Sequence, residues 1–110
     1  MTNVFEEMAG LDRLVHEPAR LSILTALGAC KGADFIFLQH LTGLSVGNLS
    51  SHLAKLEEAG LVRMDKQFVN KRPNTLVSIT DRGREAIENH WRLLETLRQS
   101  AQGWRPDSEE

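Results

Sequence analysis

The sequence predicts one α+β domain that contains a helix-turn-helix unit, a two-stranded β-hairpin and a long C-terminal helix. Three features lead to this prediction. Leucines recur at helical spacing in segments that end at glycine, apolar and polar residues alternate after Leu61, and a wide apolar stripe occupies the region before the C-terminus. The 110 residues can bury a core without metals or disulfides. We assign residues 1–105 to this domain and interpret residues 106–110 as a disordered acidic tail.

The first clear helix is expected to begin at Pro18, because proline is well tolerated in the first turn of a helix. Gly28 or Gly32 is expected to end this helix. Its apolar stripe consists of Leu21, Leu24 and Leu27, with Ile23 beside them. Upstream of it, another apolar group indicates a short amphipathic turn or helix; its members are Leu11, Leu14 and Val15.

A short helix is predicted over residues 37–42, with Leu38 and Leu41 facing inward and Gly43 ending it. The residues before it, 34–37, either form a brief strand or place Asp34 as the cap of this helix. Both alternatives fit the mostly apolar and aromatic composition of the segment.

A longer helix is predicted over residues 46–59, with Ser45 as its N-cap and Gly60 just after its end. Leu49, Leu53 and Leu56 are spaced at i, i+4 and i+7 and form a single stripe. The region from residue 37 to residue 60 is therefore a helix, a short glycine turn and a longer helix.

A β-hairpin with a basic tip is expected next. Residues 61–66 are predicted to form its first strand, residues 70–74 a polar turn that Pro73 stiffens, and residues 75–79 the second strand. Thr80 is a good N-cap for the last helix, which is predicted to run to about Gln99. The apolar positions of that helix are Ala86, Ile87, Trp91, Leu93, Leu94 and Leu97.

The distribution of charge matters more than the net charge of −2. Residues 61–84 carry six basic and two acidic side chains, so this segment is +4 and the remainder of the chain is −6. A basic strip on an acidic body can bind phosphate on one side and keep the protein in solution elsewhere. The alternative interpretation is an ordinary solvated surface.

Three separated segments resemble winged-helix regulators of the MarR and ArsR type. Residues 45–62, SVGNLSSHLAKLEEAGLV, resemble the recognition helix of these proteins and its exit into the wing. Residues 18–24, PARLSIL, resemble their opening helix, and residues 79–86, ITDRGREA, resemble their strand-to-helix exit. The resemblance covers about Leu11 to Leu97. It implies a winged helix-turn-helix fold, binding to double-stranded DNA and dimerisation through terminal helices.

The face of the recognition helix opposite its leucine stripe is predicted to be exposed; it carries Gly47, Asn48, Ser51, Ala54 and Lys55. Small and polar residues suit a helix that enters the major groove, and we place Ser45, at the start of the helix, in the same interface. Asn48 is the best candidate to contact an adenine, and Lys55 is expected to contact phosphate. His52 either touches phosphate or packs with its ring partly buried. The alternative to a DNA-binding surface is a helix face that is polar only because it is exposed to solvent.

The tip of the hairpin carries Lys71 and Arg72, and an arginine there can enter a minor groove. The alternative is a turn that is polar only because it is solvated.

No enzyme or metal site is expected. The four histidines are scattered without the spacing of a helical metal site, and Cys30 lacks the cysteine partner of metal-sensing ArsR-type proteins. Cys30 is a possible redox sensor, but a lone buried thiol is more often inert. Phosphate loops, nucleophile elbows and paired carboxylates are not recognisable either, and no cofactor is expected.

The wide stripe of the last helix calls for a partner surface, which we predict to be a second copy of the chain. The predicted dimerisation residues are Ile87, Trp91, Leu94 and Leu97, with Leu93 extending the surface and Phe5 and Met8 as possible additions. Any small-molecule effector is expected at the dimer interface. The single cysteine and the absence of a signal peptide or membrane span favour the cytoplasm. The rival function is a winged helix used for protein–protein interaction.

Overall fold

A computed structural model describes residues 12–103, which form four helices and a three-stranded antiparallel sheet. The predicted α+β winged-helix architecture is confirmed. The predicted tail at 106–110 and the apolar residues Phe5, Met8 and Leu11 lie outside the described residues. No helix in the described part is long and apolar enough to cross a membrane.

The strand order in the sheet is β1-β3-β2, so the first short strand pairs with the second strand of the hairpin. In chain order the elements are α1 (Pro18–Gly28), β1 (Ala33–Asp34), α2 (Phe35–Thr42), α3 (Val46–Glu58), β2 (Val62–Val69), β3 (Arg72–Ile79) and α4 (Asp81–Gly103).

The core lies between α1, α3 and the base of the sheet. The predicted stripe of α3 is confirmed, because Leu49, Leu53 and Leu56 are all fully buried. Burial of one such leucine contributes about 1.5–3 kcal/mol. They pack in one cluster with Ile23, Leu24, Leu27, Leu38 and Val77. Leu21 lies at the edge of this cluster and is only partly buried.

Helix α1 begins at Pro18 as predicted, and the Glu17 carboxylate caps it by accepting the amides of Ala19 and Arg20. Both interpretations of Asp34 hold at once. Asp34 pairs with Leu76 in the sheet, and its Oδ1 also accepts the Phe37 amide at 2.7 Å, which caps α2.

Helix α2 corrects the sequence prediction in two respects. It begins at Phe35, two residues earlier than predicted. Leu41 was predicted to face inward, but 46% of its surface is exposed. It lies at the rim of the molecule beside Leu21 and Trp91, where no element among residues 12–103 covers it.

The hairpin is longer and its turn tighter than predicted. Asn70 and Lys71 alone form the turn, with φ values of 53° and 65°. Positive φ at both central residues is the geometry of a type I′ turn, whose twist matches that of the flanking strands. Arg72, Pro73 and Asn74, predicted to be in the turn, are therefore the first residues of β3.

The junction of the sheet with α4 depends on Thr80 and Gly83. Thr80 Oγ1 donates to the Gly60 carbonyl at 2.6 Å and accepts the Gly83 amide at 2.9 Å, which confirms Thr80 as the N-cap. A Cβ atom at Gly83 would collide with the Leu61 carbonyl oxygen, so only glycine allows this approach. The start of α4 is thus fixed against the end of α3.

Helix α4 runs to Gly103, a few residues beyond the predicted end. Only its first half contacts the core, through Gly83, Ile87 and His90, which are buried. Leu93, Leu94 and Leu97 in its second half are partly exposed and lie outside the core cluster.

Candidate nucleic-acid interface

The outer face of α3 is the polar, sterically open surface that the sequence predicts. All five residues predicted to lie there are exposed: Gly47, Asn48, Ser51, Ala54 and Lys55. A Cβ atom built on Gly47 would meet nothing within 4 Å, so the fold itself does not require glycine at this position. A ligand can therefore approach the backbone closely at the start of this helix.

The N-terminus of α3 is organised by Ser45. Its Oγ accepts the Asn48 amide at 3.1 Å, which is the predicted cap. The side-chain amide of Asn48 is exposed, and no hydrogen bond to another residue within 12–103 engages it. Asn48 can therefore present both a donor and an acceptor to a ligand, whereas the Ser45 hydroxyl is already engaged in capping.

His52 lies on the inner edge of α3 and is tied to its own chain. Its Nδ1 is 3.0 Å from the Arg20 guanidinium and 3.5 Å from the Glu17 carboxylate. The ring is partly buried, which agrees with the packing alternative for this residue. Whether it also touches phosphate stays a prediction.

Arg20 organises this cluster, and sequence analysis did not identify it. Its guanidinium donates to the carbonyl oxygens of Leu14 at 2.6 Å and Arg13 at 3.3 Å, while also facing His52. Arg20 therefore joins the turn before α1 to α3. The residues are 32 positions apart in sequence, and local periodicity carries no signal of such a contact.

The Glu17 carboxylate is the anionic member of the cluster. Burial raises its pKa, but the amide hydrogen bonds from Arg20 and Ala19, together with the charges of His52 and Arg20, outweigh burial and hold that pKa below its ordinary value. Glu17 therefore stays ionised, and its charge balances the basic groups behind α3.

The hairpin carries three exposed cations near its tip. Lys71 is in the turn, Arg72 begins β3, and Lys66 lies on β2. No carboxylate within residues 12–103 forms a salt bridge with any of them, whereas Arg63 nearer the base pairs with Asp65 at 3.6 Å. The tip is thus a patch of uncompensated positive charge.

The hairpin of β2 and β3, which we call the wing, and α3 border a shared cavity of about 180 Å³. Ser50 of α3 lines one side, and Lys66 and Thr75 of the wing line the other. Ser50 directly precedes Ser51 of the outer face, so the edge of that face adjoins the wing. Lys66 was absent from the predicted site, although its alternation with Met64 places it on the face of the wing that lines the cavity.

Two of the four histidines, which are far apart in the sequence, come together in the fold. His16 Nδ1 and His90 Nε2 are 3.0 Å apart and join the turn before α1 to α4. Burial lowers the pKa of His90, the charge of His16 lowers it further, and Asp12 opposes them. Within residues 12–103 no group of three metal-ligating side chains assembles. Cys30 is exposed, which corrects the expectation that it is buried.

The surface between α1 and α4 holds a cavity of about 400 Å³. Thr25, Arg84, Trp91 and Arg92 are among its lining residues. The Trp91 indole donates to Thr25 Oγ1 at 2.9 Å, so this ring is fixed against α1 although 45% of it is exposed. Ile87, predicted at a dimer interface, is instead buried in the core of its own chain.

A capped helix-turn-helix whose second helix presents a polar face, followed by a β-hairpin wing, defines a winged-helix protein. The family of winged helix DNA-binding domains matches residues 19–97, and the chain belongs to that family. Three of the similar proteins described below carry the name of a transcriptional regulator or of a homologue of one.

Relatives span most of the chain. The uncharacterized protein MJ0432 of Methanocaldococcus jannaschii is 35% identical over 78 residues, which are 71% of this chain and 85% of that protein. The HTH-type transcriptional regulator YgaV of Escherichia coli is 37% identical over 57 residues, which are 52% of this chain and 58% of YgaV.

Among solved structures, a transcriptional regulator homologue from Pyrococcus horikoshii superimposes with a TM-score of 0.75 at 33% identity. The match covers 93% of this chain and 97% of that one. MarR-family regulators share the fold at lower identity, among them one from Silicibacter pomeroyi at 24% identity with a TM-score of 0.63, covering 96% of this chain and 69% of that one.

Proposed function

We propose that the protein is a sequence-specific regulator of transcription that binds double-stranded DNA as a homodimer. The observation that carries the proposal is the single surface formed by the outer face of α3 and the wing. It combines small and polar groups on the helix with uncompensated cations on the hairpin. That combination suits base contacts in the major groove and phosphate contacts beside it.

In this proposal α3 enters the major groove. Asn48 contacts the edge of an adenine, Gly47 and Ser51 allow the helix to approach closely, and Lys55 binds phosphate. Lys71 and Arg72 reach the adjoining minor groove or its phosphates. Two proteins that share the fold have been solved with DNA: CouR on a 23-mer duplex (TM-score 0.69, 20% identity) and Sco3205 of Streptomyces coelicolor (TM-score 0.66, 18% identity).

The second half of α4 supports the homodimer. Leu94 and Leu97 continue the row of Ile87 and His90 at spacings of three and four residues, so the apolar stripe extends past the core that residues 12–103 form, and both leucines are only partly buried. A second copy with the same uncovered stripe is a complementary partner, and a two-fold dimer would contact two half-sites at once.

The outer face of α3 argues against a protein–protein interaction module. An apolar face would be needed to bury area against a protein, but the five residues of this face include no large apolar side chain.

The cavity beside Trp91 is the proposed place for an effector, next to the dimer surface of α4. Its aromatic ring and two arginines, which outnumber the single carboxylate of Glu88, suit a small aromatic anion. Two fold relatives were solved or analysed with molecules of this class: NadR with 4-hydroxyphenylacetate, and BpsR of Bordetella bronchiseptica with 6-hydroxynicotinic acid. Titrating each compound into the protein–DNA complex tests the idea, since an effector must change the affinity for DNA.

Selection of bound duplexes from a random pool tests the proposed function directly. We expect enrichment of a roughly palindromic site whose half-sites lie about one helical turn, or a small multiple of it, apart. Binding that strengthens as salt is lowered yet enriches no sequence would contradict sequence specificity, and no binding at low salt would contradict the whole proposal.

A further inference from the structure

The most exposed large hydrophobic side chain within residues 12–103 is Phe68, with 77% of its surface open. Isolated exposed apolar residues are ordinary, but this one stands near the tip of the wing. It is two residues before the turn formed by Asn70 and Lys71. Phe68 therefore lies near the end of the hairpin that is remote from the core residues Val62 and Val77.

The hairpin holds Phe68 in a rigid setting. Phe68 lies directly opposite Pro73, and the next pair outward, Val69 and Arg72, flanks the two-residue turn. In such a hairpin the pair next to the turn is hydrogen-bonded, so Phe68 and Pro73 form a non-hydrogen-bonded pair with close side chains. Proline has no backbone N–H, but this pair requires no hydrogen bond from it to β2. Its ring also fixes the backbone opposite Phe68.

Strand alternation sets the direction of the ring. Met64, Lys66 and Phe68 lie on one face of β2, and Met64 packs against the core. Lys66 on this face borders the cavity shared with Ser50 of α3. Phe68 therefore extends the same surface that the recognition helix presents.

The charged residues near Phe68 indicate what kind of ligand would contact it. Residues 66–80 contain three cations and no aspartate or glutamate. Lys66 lies on the same face of β2 as Phe68, Lys71 lies in the turn, and Arg72 lies opposite Val69 on the other face; all three are exposed. An apolar group on a hairpin tip that also carries cations suits a polyanion that offers apolar surface. The minor groove of DNA is such a target, because phosphates rim it and deoxyribose and base steps line it.

We infer that Phe68 is an apolar wedge that the wing inserts into the minor groove beside the sequence bound by α3. The inference rests on the proposed function and deepens it, since it assigns affinity and sequence preference to a residue without a polar group. Lys66 and Lys71 hold the flanking phosphates, and Phe68 contacts the sugars and the base step between them.

The first experiment compares Phe68→Ala with Val69→Ala by titrating duplex DNA of the selected sequence at several salt concentrations. Val69 is an exposed neighbour on the opposite face of the hairpin and serves as the matched control. Phe68→Ala should weaken binding by about 10- to 100-fold, the range for losing a buried phenyl ring. The slope of affinity against salt should not change, because no phosphate contact is lost.

Outcomes separate the two proposals. If wild-type protein binds no duplex, the proposed function fails. If wild type binds and Phe68→Ala behaves like Val69→Ala, only the wedge is overturned. Thermal unfolding of both variants should match wild type because both side chains are exposed, and a loss of stability that accounts for the weaker binding would also overturn it.

A second experiment identifies the groove. Replacing guanine by inosine beside the half-site removes an amino group from the minor groove only, and 7-deazaguanine removes an acceptor from the major groove only. Inosine should change the affinity of wild type and leave that of Phe68→Ala unaffected. If 7-deazaguanine instead distinguishes the two proteins, Phe68 faces the major groove and the inference is wrong.

Discussion

If α3 binds DNA as proposed, single side chains decide whether it contacts base edges or only the DNA backbone. The side-chain amide of Asn48 has no hydrogen-bond partner within residues 12–103, so Asn48→Ala should leave the free energy of unfolding unchanged. Loss of a bidentate contact should cost about 1–3 kcal/mol at the selected site and less on random DNA. Titration of both duplexes measures the difference.

Asn89→Ala is the control for that substitution, since Asn89 is exposed on α4, away from the outer face of α3. It should bind both duplexes like wild type. Equal losses on both duplexes for Asn48→Ala would show that Asn48 contacts the backbone and not a base.

Replacing Gly47 and Gly83 by alanine should change the free energy of unfolding in opposite directions. Gly47→Ala should stabilise the fold by about 0.5–1 kcal/mol, since alanine favours a helix and its Cβ meets open space. Gly83→Ala should destabilise it by about 3 kcal/mol or more, because its Cβ would collide with the Leu61 carbonyl. Urea unfolding measures both changes.

DNA titration of the Gly47→Ala protein then separates folding from function. A stabler protein that binds its site more weakly places the α3 backbone close to DNA. Unchanged affinity would mean that the helix does not approach the groove at Gly47.

The His16–His90 pair predicts how stability depends on pH. The pKa of His90 is lowered in the folded protein, chiefly by burial and then by the charge of His16. The unfolded chain therefore takes up a proton at higher pH than the folded chain, and it binds more protons in the window between the two pKa values. Stability should be complete above the ordinary value of 6.5 and fall as pH drops below it.

Urea unfolding between pH 8 and pH 5, about the range in which histidines titrate, measures this dependence. His90→Phe should reduce it, and substitution of the exposed His40 by glutamine should not. Equal pH dependence in all three proteins would assign the effect to other groups.

At the scale of elements, the hairpin acts as a basic arm. If Lys71 and Arg72 bind phosphates, replacing both by alanine should weaken binding to all sequences. It should also flatten the plot of log affinity against log salt by about 0.9 for each lost contact. Arg13 and Lys31, exposed at either end of α1, provide a control with the same change of charge.

In that control the slope should remain close to that of wild type. If both double variants flatten it equally, net charge and not the wing explains the effect. If neither does, the wing lies outside the interface.

Elements with strong local signals could be predicted from sequence. Ser45 and Thr80 cap their helices as expected, because capping depends on residues only three positions apart. The turn was assigned too long because Pro73 suggested a turn residue. In the folded hairpin Pro73 lies in β3 beyond the residues that pair with β1, and its pair with Phe68 needs no amide from the proline.

Contacts between distant segments could not be predicted in this way. His16 and His90 are 74 positions apart, and Arg20 and His52 are 32 apart. Periodicity indicates which face of a helix is buried, but not which residue of another element it meets. For the same reason Leu41 and Ile87 were misjudged: apolar spacing alone does not tell a core position from a rim position.

At the scale of the whole molecule, the chain is more extended than a compact domain. Its radius of gyration is 17.4 Å, against about 13 Å for a compact domain of 100 residues. The difference is consistent with α4, whose second half lies outside the core cluster. A helix whose apolar row is only partly buried by residues 12–103 is poorly suited to exist alone in water.

We therefore expect a homodimer that Leu94→Glu disrupts. Leu94 continues the row of Ile87 and His90 but is only partly buried by its own chain, so a carboxylate there should spare the core and repel a second copy. Sedimentation at micromolar concentration should show a dimer for wild type and a folded monomer for the variant. The monomer should also lose most of its affinity for the palindromic site, because only one half-site is held.

Thr96→Glu is the matched control, since Thr96 is exposed on the same helix and about 160° away from Leu94 around its axis. It adds the same charge and should leave the dimer intact. If wild type sediments as a monomer and Leu94→Glu retains full affinity, the dimer proposal is wrong and the row serves only its own chain. If Thr96→Glu dissociates the dimer as well, the added charge and not the lost apolar contact is responsible, and the interface must extend around the helix.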